Sequence, residues 1–206
     1  MQIFNKEASK RILTHTWYIY PLVTILVSVL LVFAFQAYHQ PSAHQMLTLF
    51  LATEVFDTKF VDDISLNYNK EDLRKVTTHY ALSSATGFAN KLQLYMNVSD
   101  LSILDEVTLN KMEGHYDGFF FEIKSEIKEQ YFKSDALTYT NSDKDYGILI
   151  KEKNKESNLS KYMLFDETVN YYLLLSVGSK NMGVLSGEEN KNYTNGLTFA
   201  SYLFNF

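Results

Sequence analysis

A chain of 206 residues with 19 Lys and Arg against 24 Asp and Glu carries a net charge of -5, which excludes the basic footprint that nucleic-acid phosphates demand. Cys is absent, so thiol nucleophiles, thiolate metal sites and a disulfide framework are excluded as well.

The first element is the apolar stretch WYIYPLVTILVSVLLVFAFQAY from Trp17 to Tyr38, and no Asp, Glu, Lys or Arg lies between Arg11 and Glu54. Roughly 22 residues at about 1.5 Å rise give about 33 Å of helix, against a hydrocarbon core of about 30 Å. Trp17, Tyr18 and Tyr20 at one end and Tyr38 at the other suit the two interfacial zones, where an aromatic body is buried and its polar tip stays wet. Pro21 falls in the first turn, where a missing N–H costs little. Lys6, Lys10 and Arg11 precede the span, while the next basic residue is Lys59, so the expected N-terminus is cytoplasmic. The rival is a cleaved signal sequence. Its apolar core is shorter and ends at small residues, which AFQAYHQPSA supplies poorly, and the anchor is the favoured reading. A core helix of a soluble protein is the third reading, disfavoured by length and flanks. Either of the first two sends the rest of the chain outside. The expected division is a cytoplasmic tail at 1–16, a transmembrane helix at 17–38, a tether at 39–45 and an extracellular α/β domain at 46–206. An exported domain without Cys, rich in Asn, Lys, Tyr, Phe and Ile, fits a bacterial cell envelope.

Beyond the tether, MLTLFLA (46–52) is a compact apolar run and reads as a strand buried on both faces. Val55, Phe56, Phe60, Ile64 and Tyr68 come next at helical spacing, with Thr53 as a candidate cap. NKED (69–72) is a turn, and LRKVTTHYAL (73–82) has the β-branched content of a second strand. Ser83, Ser84 and Thr86 then open a helix whose apolar stripe is Phe88, Leu92, Tyr95 and Met96. LSIL (101–104) is a third strand, and Asp105 and Glu106 begin a helix that Gly114 ends. Alternation of strand and helix predicts an α/β fold: a three-layer, mostly parallel sheet with helices on both faces. In the second half, IKSEIKEQYF (123–132) reads as a helix, and YGILIK (146–151) and NYYLLLSV (170–177) as strands joined by a short charged link, an antiparallel addition. KEKNKE (151–156) reads as a solvated turn, GEENKNYTNG (187–196) as a loop and LTFASYLF (197–204) as a terminal helix.

The stretch KLQLYMNVSDLSILDEVTLNKMEGHYDGFFFEI, with MLTLFLATEVFD before it and YYLLLSVGSKNMG and LTFASYLF after it, resembles the first lobe of extracellular solute-binding proteins of ABC transporters. Ser99 stands before Asp100 where that family usually has Gly, and Ser102 takes the place of a second Asp. The resemblance implies a solute-binding lobe and service to a transporter or sensor. Two lobes closing on a ligand need about twice the residues present, so it implies one lobe only.

No G-x-S-x-G, H-E-x-x-H or P-loop occurs, and no enzyme activity, cofactor or metal is expected. His15, His39, His44, His79 and His115 are scattered. Asp62 with Asp63, and Asp105 with Glu106, are adjacent on helices and so face apart. The candidate ligand-binding residues are Ser83, Ser84 and Thr86, in a strand-to-helix turn whose backbone donors can hold an anion, with Asp100 on the neighbouring connection. Ordinary helix capping is the bland reading of the same residues. Phe119 to Phe121 and Tyr171 with Tyr172 divide between core and a partner surface, about half to each. Two functions are expected: foremost an accessory or scaffold working by contact with a membrane or envelope protein, alternatively a tethered receptor for a small solute.

Overall fold

The computed structural model describes residues 14, 16–41, 45–53, 57, 59–68, 73–178 and 191–205. The chain divides into two compact units, Met1–Gln40 and Pro41–Phe206.

In the first unit, helix α1 (Ile19–His39) runs 21 residues with no buried residue, unlike the core helix of a soluble protein, and is long and apolar enough to cross a membrane. Two of its polar side chains are satisfied along the helix itself. The Thr24 hydroxyl donates to the Tyr20 carbonyl at 2.8 Å, and the His39 ring nitrogen Nδ1 lies 2.9 Å from the Phe35 carbonyl oxygen. Internal pairing of this kind is what an apolar solvent requires.

The second unit is built on a six-stranded sheet. In chain order its elements are β1 (Met46–Leu51), α2 (Lys59–Asn67), β2 (Lys75–Tyr80), α3 (Phe88–Met96), β3 (Leu101–Asp105), α4 (Glu106–Lys111), α5 (Tyr116–Phe119), α6 (Ser125–Tyr131), β4 (Thr138–Asn141), β5 (Lys144–Lys151), a 3-10 turn (Asn158–Lys161), β6 (Tyr171–Leu175) and α7 (Lys191–Phe204). The strand order is β2-β1-β3-β6-β5-β4. Strand alternation makes the two faces. Leu49, Leu51, Leu101, Ile103, Leu173 and Leu175 pack on one side with Phe60 and Ile64 of α2 and Leu197, Phe199 and Leu203 of α7. Phe50, Leu104, Tyr172 and Leu174 pack on the other with Met96 of α3, Leu109 of α4 and Tyr116 of α5. Three layers result, and the fold is α/β.

The expected mostly parallel sheet is mixed instead. β1 pairs in parallel with β2 and β3, whereas β3–β6, β6–β5 and β5–β4 are antiparallel. The extra antiparallel strand, β4, comes from a two-residue hairpin at Ser142 and Asp143, with φ of 51° and 65°, the left-handed pair that matches strand twist. The β5 to β6 link carries only a 3-10 turn and no crossover helix, so β6 returns antiparallel. Other boundaries differ too. α2 begins at Lys59, whose N–H donates to the Asp57 carboxylate at 3.0 Å, and not at Thr53. α7 begins at Lys191, inside the segment expected as a loop. Val55, Phe56 and the NKED turn lie outside the described residues. Tyr171 and Tyr172 are both buried, on opposite faces, because β6 is an interior strand covered on both sides.

Candidate functional site

The connection after β2 sets the site. The chain leaves the sheet beyond Tyr80, turns through residues 82–87, and enters α3 from Gly87, which has φ of 81° in the left-handed region that favours glycine. No side chain caps α3, and the first bond back along the helix is from Lys91 N–H to the Gly87 carbonyl at 3.2 Å. Ser83, Ser84 and Thr86 are exposed in the turn and do not open the helix by capping; the left-handed Gly87 takes the N-cap place.

Of the three, Ser83 lines a cleft of about 290 Å³. One wall is α3, with Phe88, Ala89, Leu92, Gln93 and Met96. The facing wall is α4 and its end, with Thr108, Lys111 and Met112, closed by Phe119. The volume lies near the lower bound for small-molecule sites, which are mostly apolar with a few polar groups to orient a ligand. Phe88 stacks on buried Phe50 of β1 at 6.5 Å between ring centroids, so the apolar wall is continuous with the core.

The α4 wall is held by hydroxyl and carboxylate bonds. Asp105 caps α4, its carboxylate accepting from Thr108 N–H at 2.7 Å and the Thr108 hydroxyl at 2.8 Å. Tyr116 donates to the Leu109 carbonyl at 2.6 Å, and its hydroxyl lies 2.9 Å from that of Tyr139, which donates to Asn110 Oδ1 at 2.8 Å. Burial, and then the Tyr116 hydroxyl, push the Tyr139 pKa well above the ordinary tyrosine range, keeping it a neutral donor. These tyrosines come from the second half of the chain, and no local pattern in the sequence pairs them with α4.

Asp100 stands elsewhere. It is fully buried at the amino end of β3, where its carboxylate accepts from Thr48 N–H at 2.6 Å, its own N–H donates to the Thr48 carbonyl at 2.8 Å, and its carbonyl accepts from Ser176 N–H at 3.0 Å. The Ser83 turn comes after the carboxyl end of β2. Because β2, β1 and β3 run in parallel, Asp100 and Ser83 occupy opposite edges of the sheet and share no crevice.

The remaining candidates have structural partners. Glu106 accepts from the Asn170 amide at 2.8 Å, and Asp63 accepts from the Tyr162 hydroxyl. Lys151 departs from the solvated turn expected of KEKNKE. It is 4% exposed, with its ammonium 2.6 Å from the Asp166 carbonyl and over the Tyr171 ring, and burial depresses its pKa. Among the described residues no group of three or more His, Asp or Glu side chains is placed to hold a metal ion.

No family model matches the chain, and no curated protein matches it. Among solved structures it is similar to an ABC substrate-binding protein from Listeria monocytogenes in complex with cycloalternan, at 19% identity over 51% of this chain and 28% of that one, with a TM-score of 0.37. A galacto-N-biose/lacto-N-biose I-binding protein of an ABC transporter from Bifidobacterium longum, in complex with lacto-N-biose, gives 20%, 53%, 29% and 0.37 in the same order. A maltose-binding periplasmic protein from Listeria monocytogenes, in complex with maltose, gives 19%, 52%, 27% and 0.31. The chain thus spans under a third of the length of each, and the likeness is a weak, partial one to a solute-binding lobe.

Proposed function

We propose that this chain is a non-enzymatic, membrane-anchored receptor whose outer α/β unit binds a small solute in the cleft between α3 and α4. In this reading α1 spans the cell membrane with the N-terminus in the cytoplasm, the orientation favoured by Lys6, Lys10 and Arg11. The observation that carries it is the preformed apolar cleft with its few polar groups. The test is thermal unfolding of the full chain in phospholipid nanodiscs, where no detergent competes for the cleft, across a broad metabolite panel. A ligand at about 100 times its Kd stabilises the folded state by about 2.7 kcal/mol. The expected outcome is a class of solutes that stabilises the wild type and not Leu92→Trp, which fills the cleft. A panel with no stabiliser, or stabilisers that act equally on both proteins, refutes the reading.

A second reading, the accessory or scaffold in contact with a membrane or envelope protein, draws on the exposed apolar residues Leu94 and Val98 at the end of α3 and Val107 on α4. Its signature is a defined companion that co-purifies from membranes and is lost when Val98 and Val107 are changed to Glu.

A further inference from the structure

The walls of the α3/α4 cleft do not treat all small apolar molecules alike. Four of its lining residues carry polar side chains: Ser83, Gln93, Thr108 and Lys111. The Thr108 hydroxyl is committed to Asp105. That leaves one hydroxyl, one carboxamide and one ammonium for a ligand. Lys111 forms no salt bridge among the described residues. Glu113, the nearest carboxylate in sequence, is exposed in the turn after α4 and makes no ion pair with Lys111 among the described residues, while Asp105 and Glu106 on the other side are engaged by Thr108 and Asn170. The cleft therefore sets an apolar floor of Phe88, Leu92, Met96, Met112 and Phe119 beside a cation that forms no salt bridge among the described residues. A lysine stem lies well along apolar surface while its head stays wet, a geometry made for an anion at the rim.

We infer that the ligand is a small monocarboxylate with an apolar tail, its tail between α3 and α4 and its carboxylate at Lys111, with Gln93 and Ser83 as further donors. The inference rests on the cleft being the ligand site, as proposed above. At interior packing density a cleft of 290 Å³ admits about ten non-hydrogen atoms. That is the size of octanoate, and it leaves no room for a phospholipid. A neutral tail alone gains the apolar floor but not the cation, and an amine is repelled by it. The two sulfur side chains, Met96 and Met112, let the floor adapt to straight and branched tails alike.

The experiment uses the full chain in phospholipid nanodiscs with methyl-labelled methionine, titrated with octanoate and with 1-octanol at measured free concentrations. Met96 and Met112 report on the cleft, and Met163, buried in the opposite core layer, is the control. Octanoate is expected to bind about threefold to tenfold tighter than octanol, the span from an exposed ion pair to a charge-assisted hydrogen bond. Lys111→Met is expected to abolish the preference for octanoate over octanol. Equal affinities in the wild type, with both cleft methyls shifting, overturn the carboxylate inference and leave the cleft as a binding site. A preference for octanoate that survives Lys111→Met overturns it also. Methyls that respond to neither ligand overturn both the inference and the receptor reading beneath it.

Discussion

Asp100→Ala separates a structural carboxylate from a ligand contact. The side chain is fully buried and its Oδ2 receives Thr48 N–H at 2.6 Å. Deleting it removes a hydrogen bond to a charged group, about 1.5 to 3 kcal/mol, and leaves the Thr48 donor of β1 without that acceptor, adding about 1 kcal/mol. The main-chain bonds from Asp100 to Thr48 and from Ser176 to Asp100 survive, since no side chain makes them. The expected loss is therefore about 2.5 to 4 kcal/mol. Asp100→Asn keeps an acceptor oxygen without its charge, and is expected to lose about 1 kcal/mol. Urea unfolding of the full chain in nanodiscs, followed by the near-UV signal of its tyrosines, reads both variants, and an unchanged slope licenses the comparison. Octanoate affinity should be the same in Asp100→Asn and the wild type, because the carboxylate sits at the opposite sheet edge from Ser83. An Asp100→Ala protein within about 0.5 kcal/mol of the wild type, or one that keeps its stability and loses the ligand, refutes the assignment.

The packing sets three further outcomes. A Cβ on Gly147 would lie 3.1 Å from Tyr172 Cβ and 3.4 Å from Leu174 Cγ, so Gly147→Ala is expected to destabilise the fold by about 1 to 2 kcal/mol in urea unfolding, and an equal or higher stability contradicts the close approach. Burial, and then the Asp117 hydrogen bond, push the Tyr146 pKa up to about 12. Its folded pKa is raised, so its contribution to stability is whole below the ordinary value of 10.0 and is lost as pH rises through about 12; Tyr146→Phe should flatten that alkaline loss, measured by urea unfolding across the range. Burial depresses Lys151, so the unfolded chain binds more protons and stability rises with pH toward the ordinary lysine value of 10.5. Lys151→Met should abolish that rise, and a variant with the wild-type slope contradicts it.

What is legible in the chain tracks how local its cause is. The run from Trp17 to Tyr38 needs no partner to be read, because a bilayer-length apolar helix satisfies its own backbone. MLTLFLA, LSIL and NYYLLLSV are continuous apolar runs because both sides of β1, β3 and β6 are covered, and that covering leaves a direct trace in composition. β4 leaves no such trace. TYTN is short, polar and at the sheet edge, and its hairpin turns on Ser142 and Asp143 without the usual Asn-Gly signal. The start of α7 is hidden because its first turns, KNYTNG, are polar and rich in turn-forming residues; Leu197, Phe199 and Leu203 anchor the helix in the core further along. In the cleft, the spacing of Phe88, Leu92 and Met96 marks one helix face, but their role as a wall depends on Lys111, Met112 and Phe119 arriving opposite. Asp100 and Lys151 carry tertiary bonds to Thr48 and Asp166, and no residue near either in sequence announces them.

The placement of the cleft has a consequence for affinity. Open α/β sheets hold ligands beyond the carboxyl ends of their strands, where the connections diverge to the two faces. Here β1 leads to α2 on one face and β2 to α3 on the other. On the α2 side the link between β5 and β6 fills that edge: the Tyr162 carbonyl accepts from Asp57 N–H at 2.8 Å, the Tyr162 ring lies 5.5 Å from that of Phe60, and Leu159, Met163 and Phe165 enter the core. The buried ammonium of Lys151 ties down the far end of the same link at the Asp166 carbonyl. The α3/α4 cleft lies on the other face, running from Ser83 past the carboxyl end of β2 to Met96 and Phe119, whose carbonyl accepts from Val177 N–H near the amino end of β3. A ligand there is gripped by one unit alone. About ten atoms at about 0.5 kcal/mol each give about 5 kcal/mol, or a Kd on the order of 0.2 mM. Titrations of octanoate against the Met96 and Met112 methyls should saturate in that range. A Kd below about 1 μM demands roughly 8 kcal/mol, more than a one-sided cleft of this size supplies, and would mean that a second surface closes over the ligand.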